Sequence, residues 1–171
     1  YNKTLDIGCG IGRNIRFIKY DYYTGTDIDQ KIVETCQGQI KSPQINFITQ
    51  DITKKYCTTF LKKYDLILLI QVLKNALFDQ KKIDTALHNI IKMSRGKIIF
   101  NTMGNPDIDI IDNVLTSNNV KFKKIYFGLP KIIMKIKIPI VSQIIALSFL
   151  PLILIKNNFF SKNNILYICE K

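Results

Sequence analysis

Ligand chemistry in this chain concentrates in one short stretch, Leu5-Asp6-Ile7-Gly8-Cys9-Gly10-Ile11-Gly12-Arg13-Asn14. Its spaced glycines permit a tight turn and let a ligand approach bare backbone. A helix starting just after them would offer its first free N–H groups to an anionic group. The spacing is not the dinucleotide fingerprint G-x-G-x-x-G, which needs glycine where Arg13 stands. The Lys-Ser/Thr ending of a phosphate-binding loop is missing too. Further carboxylates follow apolar runs: Asp27 and Asp29 in Tyr23-Thr24-Gly25-Thr26-Asp27-Ile28-Asp29, and Asp51 in Phe47-Ile48-Thr49-Gln50-Asp51-Ile52. A carboxylate about twenty residues beyond the glycine loop can accept both hydroxyl protons of a ribose through charge-assisted hydrogen bonds. After a fourth apolar run come two amides, Gln71 and Asn75, which position a substrate but take no proton near neutral pH. Metal chemistry has little to work with. Cys9, Cys36, Cys57 and Cys169 form no C-x-x-C, and the single histidine, His88, lies beside the apolar face of a helical pattern. No metal site is expected, and His88 reads as an exposed helix residue.

The stretch from Leu5 to Gly12, LDIGCGIG, resembles motif I of the class I S-adenosylmethionine-dependent methyltransferases, and within them the type 11/25-like small-molecule group. The resemblance covers Lys3 to about Phe127 and resumes at Ile165–Cys169. It implies S-adenosyl-L-methionine as cofactor, with the loop around its methionine part. Gly8, Cys9 and Gly10 would supply backbone contacts, Gly12 would belong to the same loop, and Asp6 would be oriented toward the amino-acid end. The family's acidic ribose ligand falls on Asp27. Asp29 competes for that role, but it directly precedes a helical pattern and suits an N-cap. Ribose is assigned to Asp27 and capping to Asp29, with Ile28 on the adenine face. Asp51, beside Ile52, matches the family's acceptor for the adenine amino group. Gln71 and Asn75 fall where cofactor and acceptor meet. Many members have an acidic residue or Asn at the position of Gln71 and His at that of Asn75. The two amides therefore put a histidine general base in doubt, and the Asn/Asp-Pro-Pro-Tyr/Phe motif of base-modifying relatives is absent.

These residues need a scaffold, and the hydrophobic pattern predicts one. Strands are expected at Lys3–Ile7, Tyr22–Thr26, Ile45–Thr49, Leu66–Ile70, Lys97–Asn101, Val120–Phe127 and Ile165–Cys169. Helical spacing links Ile32, Val33, Cys36 and Ile40, and likewise Ile83, Ala86, Leu87, Ile90 and Ile91. Asn105-Pro106-Asp107 has the chemistry of a helix start, opening a helix with Ile108, Ile111, Val114 and Leu115 inward. Strands alternating with helices imply parallel pairing with right-handed crossovers. The expected fold is α/β: a Rossmann-like doubly wound sheet, mostly parallel, with an antiparallel last strand that follows the sixth without a regular crossover helix. A short apolar helical insertion precedes that strand. The chain begins almost inside its first strand, and whether a helix precedes that strand is not legible.

With 171 residues, 47% hydrophobic and 22% charged, the chain is large enough for one sizeable core and is not a disordered, collagenous or disulfide-scaffold sequence. It reads as a single domain, 1–171. No secretory leader pattern opens it, and free thiols fit a cytoplasmic setting. The net charge of +12 is uneven: the segment from Val120 onward holds nine Lys against Glu170, or +8. Inside that segment Ile138–Ile155 is uncharged, and thirteen of its 18 residues are apolar. Pro139 and Pro151 leave only Ile140–Leu150 uninterrupted, roughly 16 Å as helix against a bilayer core of about 30 Å. A lid or membrane-contact insertion over 128–160 is expected, not a span. An apolar or lipid-linked small-molecule acceptor fits this better than RNA, since only three Arg accompany the lysines. Peripheral contact with anionic membrane is compatible with the basic flanks. The competing functions are an RNA methyltransferase and a non-catalytic cofactor-binding relative with an interaction role. Neither the acceptor atom nor the oligomeric state is legible.

Overall fold

A computed structural model describes residues 1–54, 64–74, 79–103, 108–126 and 164–171. Asn75, Cys57, the Asn105-Pro106-Asp107 helix start and the 128–160 insertion lie outside the described residues. Strands β1 (Lys3–Ile7), β2 (Tyr22–Asp27), β3 (Ile45–Thr49), β4 (Tyr64–Lys74), β5 (Ser94–Met103), β6 (Lys121–Tyr126) and β7 (Asn164–Glu170) form one sheet. Its order is β3-β2-β1-β4-β5-β7-β6. The first five strands pair in parallel, and β7 inserts between β5 and β6, antiparallel to both. The order reverses between β1 and β4, and in open α/β sheets ligands bind beyond the strand ends at such a switch point.

Alternation along the strands assigns the two faces. Leu5 and Ile7 of β1, with Ile67 and Leu69 of β4, join the main core under helices α2 (Gln80–Met93) and α3 (Ile108–Ser117). The helical spacing read from the sequence buries Ile83, Ala86, Leu87, Ile90 and Ile91 from α2, and Ile111, Val114 and Leu115 from α3. A second cluster of Cys9, Tyr23, Val33, Cys36 and Phe47 packs under α1 (Gln30–Gln39). Asp29 caps α1, its carboxylate accepting from the Lys31 N–H at 2.9 Å, and Asp79 caps α2 in the same way through the Lys82 N–H. His88 stays on the half-exposed side of α2, its Nδ1 2.9 Å from the Asp84 carbonyl oxygen. No helix among the described residues is long and apolar enough to cross a membrane.

The structure departs from the expected elements in two places. No regular helix follows the glycine loop: Arg13–Phe17 forms a single 3-10 turn, and Ile18 is already extended. A 3-10 helix rises about 2.0 Å per residue against 1.5 Å for an α-helix, so it carries a short connection further back along the sheet. The second departure is the length of β4 and β5, which run past the expected Leu66–Ile70 and Lys97–Asn101 at both ends. Their ladder tolerates this through two irregularities, one between Tyr64 and Leu66 and one between Leu69 and Leu73.

The first irregularity is a latch at the sheet end remote from the switch point. The Asp65 carboxylate accepts from Arg95 Nε at 2.6 Å, from Arg95 Nη2 at 3.1 Å and from the Lys3 N–H at 2.8 Å. This ties β1, β4 and β5 together. The Arg95 hydrogen bond and then the Lys3 amide pull the Asp65 carboxyl down to about 2. Gly96 completes the latch, since a Cβ there would sit 2.5 Å from the Asp65 carbonyl oxygen. Gly96→Ala should therefore cost about 1–3 kcal/mol, as overpacked sites do. Urea unfolding measures it, and a midpoint equal to that of the parent would refute the close approach.

Candidate active site

The glycine loop turns because Gly8, Gly10 and Gly12 all take positive φ, at +67°, +51° and +74°. Two of them serve distinct needs. A Cβ on Gly8 would meet Val72 Cγ2 at 2.5 Å, so glycine lets the end of β4 close against the loop. A Cβ on Gly10 would meet nothing within 4 Å, so its demand is the left-handed backbone alone, and one side of it stays open. The Cys9 N–H donates to the Thr26 carbonyl at 2.9 Å and the Gly10 N–H to Asp27 Oδ2 at 3.1 Å. Both bonds fasten the loop to the end of β2.

The side chains expected in the site divide into support and lining. Asp6 is fully buried and is not part of the lining of either of the two clefts described below. Its Oδ2 accepts from the Tyr23 hydroxyl at 2.5 Å, and Asn14 Nδ2 donates to both of its oxygens at 3.2 Å. Asp6 thus forms a post beneath the loop, joined to the cleft through Asn14, which lines it. Cys9 is buried as well, although it belongs to the lining of one cleft. Burial, then the Asp6 charge, pushes its thiol up to about 12, so it is no nucleophile at neutral pH. Gly12 ends the loop as the left-handed residue before the 3-10 turn and is not part of the lining of either of the two clefts described below.

Two adjoining clefts open at the switch point. One, of about 360 Å³, is lined by Gly8, Cys9, Gly10, Arg13, Asn14, Phe17, Ile70 and Gln71. The other, of about 380 Å³, lies among Ile7, Gly8, Asp27, Ile28, Gln50, Asp51, Ile52, Thr53, Gln71, Val72 and Lys82. Gly8 and Gln71 belong to both. Asp27 spends one bond of each oxygen on backbone, Oδ2 on Gly10 and Oδ1 on the Asp29 N–H at 3.1 Å. Each oxygen keeps a further lone pair for the cleft. Asp29 is occupied with its cap, and Ile28 stands 68% exposed at the rim. Asp51 Oδ1 accepts from the Thr53 N–H at 2.9 Å and from Thr53 Oγ1 at 2.7 Å, which fixes the turn that buries Ile52. Asn89 of α2 holds that turn from below, donating to the Ile52 carbonyl at 2.7 Å.

Sequence reading missed Arg13, Phe17, Val72 and Lys82 in the lining and Tyr23, Asn89 and Asn101 behind it. Arg13 was visible as the residue that spoils the dinucleotide fingerprint, and Phe17 lies one turn beyond the loop. Nothing in local spacing announces Asn89 or Asn101. Among the described residues, no group of three or more metal-binding side chains gathers.

The Asp6–Tyr23 pair makes stability depend on pH. Burial raises the Asp6 pKa, and the Tyr23 and Asn14 bonds, which favour the anion, oppose it. A carboxyl whose folded pKa is raised contributes stability that is complete below the ordinary carboxylate value and is lost as pH rises through the folded pKa. Tyr23→Phe removes a donor to the anion. It should cost about 1.5–3 kcal/mol at neutral pH. The deficit should shrink as the pH is lowered toward 4 and Asp6 is protonated. Thermal unfolding across that range tests the pair, and a deficit independent of pH would count against it.

The arrangement offers bare loop backbone in one cleft, and in the other a carboxylate beside exposed and buried apolar surface. Bare amides suit an anionic group, and a carboxylate suits hydroxyl donors. A family model described as a methyltransferase domain matches residues 4–96, more than half of the chain. Comparison with curated proteins finds no match. Solved structures share the fold at low identity. A SAM-dependent methyltransferase from Archaeoglobus fulgidus is 17% identical with a TM-score of 0.64, over 99% of this chain and 86% of that one. An S-adenosylmethionine-dependent methyltransferase from Clostridium acetobutylicum is 12% identical with a TM-score of 0.68, over 99% and 84%. The magnesium protoporphyrin IX methyltransferase of Synechocystis, solved with bound SAM, is 16% identical with a TM-score of 0.63, over 98% and 69%. Glycine loop, switch-point clefts, family match and shared fold agree, and the chain belongs to the class I S-adenosylmethionine-dependent methyltransferases.

Proposed function

We propose that this chain transfers a methyl group from S-adenosyl-L-methionine to an apolar or lipid-linked small-molecule acceptor. The observation that carries the cofactor half is the pair of clefts joined at Gly8 and Gln71, with Asp27 opening onto one of them. When bound, S-adenosylmethionine supplies a sulfonium-activated methyl carbon, which needs no further activation by the protein. The protein's own work is then to orient and to exclude water, worth roughly 7–11 kcal/mol in favourable intramolecular cases. Loop backbone at Gly8 and Gly10 would receive the amino-acid end, Asp27 the ribose hydroxyls, and Ile28, Ile52 and Asp51 the base. Gln71 stands at the junction as an amide, so it can hold an acceptor but not deprotonate it. An acceptor that reacts by proximity suits this site.

The acceptor half rests on sequence: the uncharged apolar run Ile138–Ile155 between Lys131, Lys135, Lys137 and Lys156. Such a run fits contact with an apolar molecule, and its basic flanks fit a phosphate or an anionic headgroup. We propose the 128–160 segment as the insertion that meets the acceptor, with peripheral contact to anionic membrane.

Labelled cofactor incubated separately with lipid, small-molecule and RNA extracts should mark the lipid or small-molecule fraction. Label confined to RNA would transfer the assignment to an RNA methyltransferase, and cofactor binding with no label anywhere would favour a binding module. Flotation with anionic liposomes should be salt-sensitive and should be lost in the Lys135→Glu/Lys137→Glu variant. Within the cofactor site, Asp27→Ala should weaken binding of S-adenosylhomocysteine by about 2–4 kcal/mol, since it removes bonds to a charged group and frees the Gly10 amide. Asp29→Ala should instead lower stability by about 1 kcal/mol and leave binding in place. Calorimetry and thermal unfolding together separate the two, and the opposite pattern would exchange their roles.

A further inference from the structure

We infer that Asn101 is a positioning residue of the cofactor site, acting through the backbone of Gln71. The inference rests on the reading of the two clefts as that site. Gln71 has φ +63°, and Asn119, in the turn after α3, is the only other non-glycine residue with positive φ among the described residues. Asparagine tolerates that conformation; glutamine gains nothing from it and is strained there. An outside restraint must therefore hold Gln71, and the structure supplies one. The Gln71 N–H donates to Asn101 Oδ1 at 2.6 Å.

The ladder explains why a side chain does this work. Pairing of β4 with β5 is regular from Leu66↔Lys97 to Leu69↔Phe100 and resumes at Leu73↔Thr102. Residues 70–72 of β4 thus face residue 101 alone on β5. Backbone cannot match three residues to one, so extra residues in such a bulge lose their ladder partners. The buried Asn101 amide extends one acceptor into the gap and satisfies Gln71. What the bulge presents is functional surface: Gln71 lines both clefts, and Val72 closes against Gly8, where a Cβ would not fit. Asn101 lines neither cleft. Its effect on a ligand has to pass through Gln71.

Calorimetry with S-adenosylhomocysteine tests this. Asn101→Leu keeps the approximate volume and removes the acceptor, and should weaken binding about tenfold. Asn101→Asp keeps an acceptor and should restore binding to within about threefold. Glycine takes φ > 0 freely, so in a Gln71→Gly background the Asn101→Leu penalty should fall below about twofold. A purely structural asparagine would show the same penalty in both backgrounds, and that result overturns the inference, as does wild-type affinity in Asn101→Leu. Should the leucine variant fail to fold, amide exchange on the unliganded parent decides. The Gln71 N–H should be protected, and exchange as fast as in an open loop overturns the restraint. If the parent itself does not bind S-adenosylhomocysteine, the cofactor reading fails, while protection of the Gln71 amide still reports on the restraint separately.

Discussion

The site is organised by one carboxylate and its own backbone. Asp27 ends β2, and its two oxygens accept from Gly10 of the loop and from Asp29 at the start of α1. Its carbonyl accepts from Gln50, just past β3, at 2.8 Å. A single residue thereby fixes the relative position of the strand 1 loop, the start of a helix and the strand 3 loop. These segments contribute loop backbone, the Ile28 rim and the Asp51–Ile52 turn. A surface carboxylate would reorganise on binding. One already bonded to two amides is pre-organised, which lowers the ordering cost a ligand must offset.

Beneath Asp27 the support is buried and polar. Asp6 hangs between Tyr23 and Asn14, and Cys36 Sγ lies 3.2 Å from the Gly10 carbonyl. Phe47 fills the space over Gly25, where a Cβ would come within 2.7 Å of its ring. Burying a carboxylate without partners would cost several kcal/mol, so Asp6 persists only because hydroxyl and amide donors meet it. The loop thus stands on a satisfied polar post set in an apolar cluster. Such a platform resists local opening more than a loop on solvent would.

What the sequence made legible was local. Glycine spacing, the Asp27 and Asp29 pair and the faces of α2 and α3 depend on residues within a few positions of one another. Periodicity and turn chemistry report those directly. The antiparallel β7 was also readable, since no crossover helix of ordinary length connects it to β6 in the pattern. The rest depends on long-range register. Asn101 lies thirty residues from Gln71 and Asn89 thirty-seven from Ile52, and nothing in either neighbourhood distinguishes them from any other asparagine. The extra residues in β4 sit in an apolar run interrupted only by Gln71, where a bulge and a regular strand look alike. The partners of Asp6 were hidden for a related reason: a strand residue next to a glycine loop points either outward or beneath the loop, and its bond to Tyr23, seventeen residues away, is invisible to local spacing.

The sheet order has a consequence for how the chain is made. β5 is complete at Met103, yet its neighbour on that side, β7, is not synthesised until Asn164–Glu170. On a ribosome adding about 5–20 residues per second, the β5 edge waits several seconds for its partner. During that time Ile98 and Phe100, both buried in the finished protein, flank an open row of hydrogen-bonding groups. β6 emerges in the interval but pairs with β7, not with β5. The nascent chain therefore carries an adhesive apolar edge until β7 emerges, and its yield in a cell should depend on how well chaperones shield that edge in the interval.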